Sequence, residues 1–138
     1  MADATRLVDY YYTMAPDKPG EGVKLLRALR DARVNLLAFS AFPSQRKSQA
    51  DFIPAEPAAF VAAAKAAKLK LKGPKKVFLI DGDDRVGALA EVLAKLGAAK
   101  INVTAVDGIC SGVGRFGALL WVKPKDSKKA AAALGVMM

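Results

Sequence analysis

Apolar and polar positions alternate or recur with helical spacing along the chain, and this pattern predicts a series of short strands and helices. Residues 5–14 are rich in aromatic and β-branched side chains and predict a strand that ends at Pro16. Asp17 then stands where a helix N-cap belongs, and Pro19 fits the first turn, where a missing N–H costs nothing. The apolar residues behind them lie on one helical face, which predicts a helix ending near Arg33.

The pattern of apolar and polar positions predicts further strands and helices as far as residue 73. The predicted elements are a strand at 34–42, a loop at 43–48, a strand near 49–54, a helix at 57–68 and a short alternating strand at 69–72. Gly73 and Pro74 follow and predict a boundary. The order of elements is therefore β-α-β-β-α-β, the split βαβ plan.

This series occurs twice, because a shift of 67 positions carries Asp17 onto Asp84 and the residues behind it onto similar ones. The identical pairs include Asp17/Asp84, Gly20/Gly87, Leu26/Leu93, Leu29/Leu96, Asn35/Asn102 and Ala38/Ala105. The second series predicts a strand at 77–80, a helix at 85–99, strands at 101–110 and 116–122, and a helix from about Lys125. The sequence thus predicts one unit at 1–73 and a second at 74–138, whose last strand is truncated.

The charges on the predicted edge strands indicate how the two units pair. In this topology the second and fourth strands lie at the edges of the sheet, and an uncharged edge is a template for pairing. Lys70 and Lys72 protect the fourth strand, whereas the second strands, at 34–39 and 101–106, carry no such charges. We therefore expect these two edges to pair. The predicted fold is α+β, with two ferredoxin-like units side by side in a continuous antiparallel sheet and helices on one face.

Composition narrows the possible functions. The chain of 138 residues has no His, which removes the side chain most used in general-base catalysis and metal binding. Cys110 is the only cysteine, so no intrachain disulfide forms, and we expect its side chain to be buried in a strand. No signal peptide or membrane-length apolar run is recognisable, and we expect a cytoplasmic protein without membrane contact.

The duplicated motif of a strand, Asp-basic-Pro-Gly, a helix with spaced leucines and an Asn entering the next strand resembles the ACT domain. This small regulatory module is attached to many enzymes of amino-acid metabolism, and the resemblance covers nearly the whole chain as a tandem pair. It implies that an amino acid binds where paired units meet. The implied ligand-binding residues are Asp17, Lys18, Pro19, Gly20 and Asn35, with Asp84, Arg85, Gly87 and Asn102.

The resemblance also implies roles for these residues. Backbone N–H groups with Lys18 or Arg85 would hold the ligand carboxylate, and Asp or Asn side chains its amino group. Two positions depart from the family pattern: Val86 replaces a proline, and Gly22 replaces the leucine that the second copy has as Leu89. Gly22 either opens room for a ligand or only loosens the start of the helix.

Three further motifs have simpler interpretations. Asp81-Gly82-Asp83-Asp84 lacks the acid and the glycine that an EF-hand loop requires, so we expect no metal site. The Gly112–Gly117 stretch matches GxGxxG, but a strand-like segment follows it, which favours a hairpin loop over a dinucleotide site. The basic run from Lys65 to Lys76 is the best nucleic-acid signal, although the stacking aromatics of an RNA-recognition fold are missing.

These observations predict a non-catalytic regulatory module without cofactors that binds an amino acid and acts through a second copy or a regulated protein. Two alternatives remain open: a basic nucleic-acid-binding protein on the same fold, and an assembly subunit whose ligand sites have decayed.

Overall fold

The computed structural model describes residues 3–136, which form six strands and four α-helices. The elements in chain order are β1 (Ala4–Pro16), α1 (Glu21–Asp31), β2 (Leu36–Ser44), β3 (Lys47–Pro54), α2 (Pro57–Ala66), β4 (Lys72–Asp83), α3 (Ala88–Ala98), β5 (Val103–Ile109), β6 (Arg115–Val122), a 3-10 turn (Pro124–Asp126) and α4 (Ser127–Leu134). The strand order is β2-β3-β1-β4-β6-β5. The predicted α+β fold with two ferredoxin-like units is confirmed.

The chain divides into two compact units, and β1 contributes to both. The first unit is residues 9–75, and the second is residues 76–136 together with residues 3–8. In the strand order β1 lies beside β4, and its residues 4–8 belong to the second unit. The predicted truncated strand itself falls at the end of the chain, where Met137 and Met138 lie outside the described residues.

In the first unit, α1 and α2 cover one face of the sheet. Strand side chains that point to that face, Tyr11, Ala50 and Phe52, are buried against Leu25 and Leu29 of α1 and Phe60 of α2. The rings of Tyr11 and Phe52 each lie 5.3 Å from the ring of Phe60. Offset aromatic contacts at this spacing are favourable, so Phe60 is the central side chain of this core.

The second unit repeats this arrangement with mostly aliphatic side chains. Phe78 and Ile80 of β4 point to the same face as Phe116, Ala118 and Leu120 of β6. These side chains are buried against α3 and α4, whose core residues are Ala88, Val92, Leu96, Ala130 and Ala131. Both helices therefore cover one face of their own unit's sheet.

The predicted pairing of the two second strands is wrong, because β2 and β5 lie at opposite ends of the strand order. The segment 69–71 explains the error, since it is not a strand although its residues alternate as predicted. Leu69 and Leu71 pack against the first unit's core, and the Thr13 hydroxyl donates to the Lys70 carbonyl at 2.9 Å. The strand begins only at Lys72, so the expected boundary at Gly73 and Pro74 lies inside β4.

The predicted helix starts also need correction. Asp17 and Asp84 do not cap the helices; the N-cap residues are Gly20 and Gly87, whose φ angles are 90° and 80°. Glycine adopts this left-handed conformation without steric cost, so the chain turns there and the helices begin three residues later than predicted. Each aspartate is left in the loop between a strand and a helix.

The two other predictions outside the site have opposite outcomes. Cys110 is exposed, because β5 ends one residue earlier, and the expectation of a buried thiol is wrong. The glycines at 112 and 114 lie in the turn that joins β5 to β6, both with positive φ, so the predicted hairpin loop is confirmed. In the described part of the chain, no helix is long and apolar enough to cross a membrane.

Replacing Gly73 by alanine is expected to destabilise the first unit. Gly73 has a φ of +117°, and a Cβ there would lie 3.0 Å from the Tyr10 carbonyl oxygen. Gly112→Ala is the matched control, because Gly112 has a similar φ of +105° but no atom within 4 Å of such a Cβ. Chemical denaturation should show a further loss of about 1–3 kcal/mol for Gly73→Ala, and equal losses would contradict this account.

Candidate functional site

The loop of residues 16–20 connects β1 to α1 and contains four of the predicted ligand-binding residues. The Lys18 N–H donates to the Pro16 carbonyl at 3.0 Å, which folds the loop back toward the strand. Asp17, Lys18, Pro19 and Gly20 are all exposed. The loop therefore presents its backbone and side chains to solvent at the positive end of the helix dipole of α1.

A small cavity of about 70 Å³ lies between this loop, the first turn of α1 and the sheet. Its polar lining comes from Asp17, Lys18, Glu21 and Ser48. Its apolar lining includes Leu25 and Phe39, and Gly22 borders it without a side chain. At roughly 30 Å³ per water molecule, the cavity has the volume of about two waters.

The charges around the cavity are mixed. The Glu21 side chain is only 14% exposed, and its Oε1 lies 3.7 Å from the Lys18 Nζ and 3.4 Å from the Lys24 Nζ. The ammonium groups are far more exposed than the carboxylate they share. The site thus offers a mobile cation and a positioned carboxylate within one helical turn.

Asn35 lines a different depression, an open groove of about 410 Å³ at the other end of α1. Arg30 and Arg33 stand on its rim, above Leu26, Leu29 and Leu36. The Asn35 carbonyl accepts a hydrogen bond from the Ala55 N–H at 3.1 Å. Within the first unit, the structure does not bring Asn35 into the cavity that Asp17 and Lys18 line.

The corresponding loop of the second unit is bound to its own hairpin. The Asp84 N–H donates to the Gly114 carbonyl at 2.9 Å, and the Cys110 thiol donates to the Asp84 carboxylate at 3.1 Å. Gly87 and Asn102 are exposed, as their counterparts are. These two hydrogen bonds hold the second loop against the turn that joins β5 to β6.

Arg85 is engaged by acidic groups of the chain itself. Its Nη1 and Nη2 lie 3.1 and 3.2 Å from the two carboxylate oxygens of Asp3. Nη1 also donates to the Asp83 carbonyl at 2.8 Å, and Nη2 donates to Glu91. Hydrogen bonds to Asp3 and then to Glu91 raise the pKa of the Arg85 guanidinium.

The remaining acids of the Asp81–Asp84 run are paired with Arg115. Its guanidinium lies 2.7 Å from an oxygen of Asp81 and 2.6 Å from one of Asp83. The hydrogen bond to Asp81 is the main cause of the raised pKa of Arg115. Within residues 3–136, no three acidic or cysteine side chains are grouped so that they would hold a metal ion.

Part of the basic run lies against an aromatic ring. The ammonium groups of Lys72 and Lys75 lie 5.8 and 5.2 Å from the centre of the Tyr12 ring. Cation–π contacts of this length are favourable and locate these two lysines on the sheet. These contacts explain the positions of two lysines of the basic run without a nucleic-acid partner.

The sequence prediction missed two polar residues of the cavity, Glu21 and Ser48. Glu21 occupies the first helical position after Gly20, and its acidic type there is expected for any helix start. Ser48 comes from the start of β3, where the antiparallel pairing with β1 places it opposite Ala15. Only the strand pairing reveals that these residues face the loop.

The two split βαβ units form a fold that several solved structures share. Solved structures with this fold include protein BT0572 from Bacteroides thetaiotaomicron, with a TM-score of 0.81, 18% identity, and coverage of 95% of this chain and 88% of that one. The regulatory subunit of aspartate kinase from Thermus thermophilus, in its ligand-free form, has a TM-score of 0.62 and 14% identity, with 98% and 95% covered. That from Thermus flavus has a TM-score of 0.61 and 14% identity, with the same coverage.

At these identities the likeness concerns the fold. No family model matches the sequence, and no curated protein is similar to it.

Proposed function

We propose that this chain is a non-catalytic regulatory module that binds a small amino acid at the loop between β1 and α1. The cavity of about 70 Å³ carries the proposal, because Asp17, Lys18 and Glu21 surround it with the charges that a zwitterion needs. Regulatory subunits of aspartate kinase have the same fold, which agrees with a regulatory role.

The ligand's two charged groups have separate partners in this proposal. Lys18 and the N–H groups at the start of α1 bind the carboxylate, since both present positive charge. Asp17 and Glu21 accept hydrogen bonds from the ammonium group. Gly20, with its positive φ, and Pro19 shape the loop so that its backbone approaches the ligand.

The size of the cavity restricts the ligand. A volume of about 70 Å³ admits the charged groups of an amino acid but little side chain. Glycine, alanine and serine are therefore the favoured candidates. A larger amino acid would have to extend its side chain over the exposed loop.

Binding changes the activity of another protein through association. β2 is an end strand of the sheet order, and Leu37 and Phe42 on it are 41% and 42% exposed. An uncharged end strand pairs readily with another chain, so β2 is the proposed contact for a second copy or a regulated protein. Ligand binding to the loop stabilises one arrangement of the partners.

A thermal-shift panel of the twenty amino acids tests the proposal. A ligand at a hundred times its Kd adds about 2.7 kcal/mol to the free energy of unfolding, which corresponds to a rise of roughly 5–10 °C in Tm. Lys18→Met should weaken binding by about tenfold to a hundredfold, because it removes one charge-assisted hydrogen bond. Lys24→Met is the matched control, since Lys24 also faces Glu21 but does not line the cavity.

Three results would count against the proposal. If no amino acid changes Tm, the site does not bind this class of ligand. If Lys24→Met weakens binding as much as Lys18→Met does, the ligand is held by nonspecific electrostatic attraction and not by a contact with Lys18. If instead Tm rises with RNA or DNA in a salt-sensitive manner, the nucleic-acid alternative is favoured.

A further inference from the structure

The two loops are related by the 67-residue repeat but differ in the space beside them. Gly22 in the first unit corresponds to Leu89 in the second, and Ala41 corresponds to Gly108. A Cβ built on Gly108 would lie 2.5 Å from Leu89 Cδ1, which shows how closely the leucine packs over that strand. Leu89 therefore occupies space that Gly22 leaves open next to the first loop.

A second difference concerns the positive group of each loop. Lys18 in the first unit is 63% exposed, with one carboxylate 3.7 Å away. Its counterpart Arg85 is 31% exposed and holds the Asp3 carboxylate in a two-pronged contact. Such paired hydrogen bonds are the geometry in which arginine binds a free carboxylate, so the Asp3 side chain stands where a ligand carboxylate would bind.

The backbone beneath Asp3 is shaped for this contact. The Asp3 carboxylate is only 10% exposed and lies directly against Gly82, where a Cβ would collide with it. The first unit has Ala15 at the position that corresponds to Gly82. A Cβ at position 82 would also lie 2.6 Å from the Phe116 ring, so glycine there makes room for both side chains.

We infer that the second loop is a carboxylate-binding site filled by the chain's own Asp3 and Leu89, so that each chain takes up one ligand rather than two. This inference rests on the proposed function, because it takes the first loop to be an unfilled ligand site that corresponds to the second loop. Asp3 acts as an internal ligand, and through Arg85 it fastens residues 3–8 to the second unit. The second half is then structural, whereas the first half responds to the ligand.

The test is an NMR titration of the full chain with sodium acetate, using sodium chloride at equal concentration as the reference. In the unchanged protein, acetate should cause saturable shifts at the Lys18, Gly20 and Gly22 amides but none at Arg85 and Gly87. Asp3→Ala combined with Leu89→Gly should add saturable shifts at Arg85 and Gly87, at acetate concentrations that leave these amides unshifted in the unchanged protein. Leu89→Ala replaces Leu89→Gly if the double variant loses the folded spectrum.

Asp31→Asn is the control, because it removes one acid from an exposed pair with Arg30 and leaves both loops unchanged. The inference is overturned if Arg85 and Gly87 respond equally in the unchanged protein, or if they stay unresponsive in the folded double variant. A third outcome separates the two proposals. If the amides of the first loop show no acetate shifts in any of these proteins, but those of the second loop do in the double variant, the proposed function is wrong and this inference is supported.

Discussion

Replacing Gly22 by leucine is expected to abolish the ligand-induced rise in Tm while making the free protein more stable. A leucine at this position would fill the cavity of about 70 Å³, as Leu89 fills the corresponding space in the second unit. The whole contribution of a saturating ligand, about 2.7 kcal/mol at a hundredfold excess over Kd, should disappear.

The gain in stability has a separate cause. Glycine inside a helix costs roughly 0.8–1.0 kcal/mol relative to alanine, and leucine is nearly as good a helix former as alanine. Gly22 lies in the first turn of α1, and a Cβ there meets no atom within 4 Å. The substitution should therefore lower ligand binding and raise the stability of the free protein. A mutation that simply damaged the fold would lower both.

Two variants make the measurement decisive. Gly97→Ala gives a comparable helical gain in α3, where a Cβ also has open space, and should leave the ligand-induced shift unchanged. Gly22→Ala adds only the first carbon and should retain partial binding. A Gly22→Leu protein that still gains several degrees from the same amino acid would show that the cavity is not the binding site.

Replacing Phe60 by alanine should unfold much of the first unit at 25 °C. Phe60 is fully buried and its ring lies 5.3 Å from the rings of both Tyr11 and Phe52. Truncation of a buried phenylalanine costs about 3–5 kcal/mol. At roughly 0.05–0.15 kcal/mol per residue, a unit of this size has a stability of about the same magnitude.

Val61→Ala is the control for this prediction, because Val61 is the next residue of α2 and is 40% exposed. Its effect on the urea midpoint should be small, since an exposed valine contributes little and alanine favours the helix. Amide NMR signals of residues 9–75 should broaden or vanish in Phe60→Ala and remain in Val61→Ala. A loss below about 1 kcal/mol for Phe60→Ala would mean that the aromatic cluster does not hold the unit together.

The repeat and most elements could be predicted from the sequence because they depend on local patterns. The hairpin at Gly112 and Gly114 and the start of α2 at Pro57 follow from single residues with strong conformational preferences. The strand pairing could not be predicted in this way. The strand order places β1 between β3 and β4, whereas the alternation at residues 69–71 predicts a strand that does not form.

The loop between β1 and α1 could be proposed as a site from the sequence, but the residues around that loop could not be predicted. Asp17 and Lys18 stand out because they occur in a duplicated motif, and both line the cavity. The interpretation of Asp17 as a helix cap was wrong, since a positive φ at Gly20 is not visible in the aspartate itself. The contact of Asp3 with Arg85 joins residues 82 positions apart, and no pattern along the chain indicates it.

The division of β1 between the two units also has a consequence for biosynthesis. Residues 4–8 leave the ribosome well before residues 76–83, the strand beside them, have been made. At about 5–20 residues per second the delay is roughly 3–14 s. During that interval residues 4–8 have an open backbone edge and an apolar Leu7, so they are available for chaperones to bind.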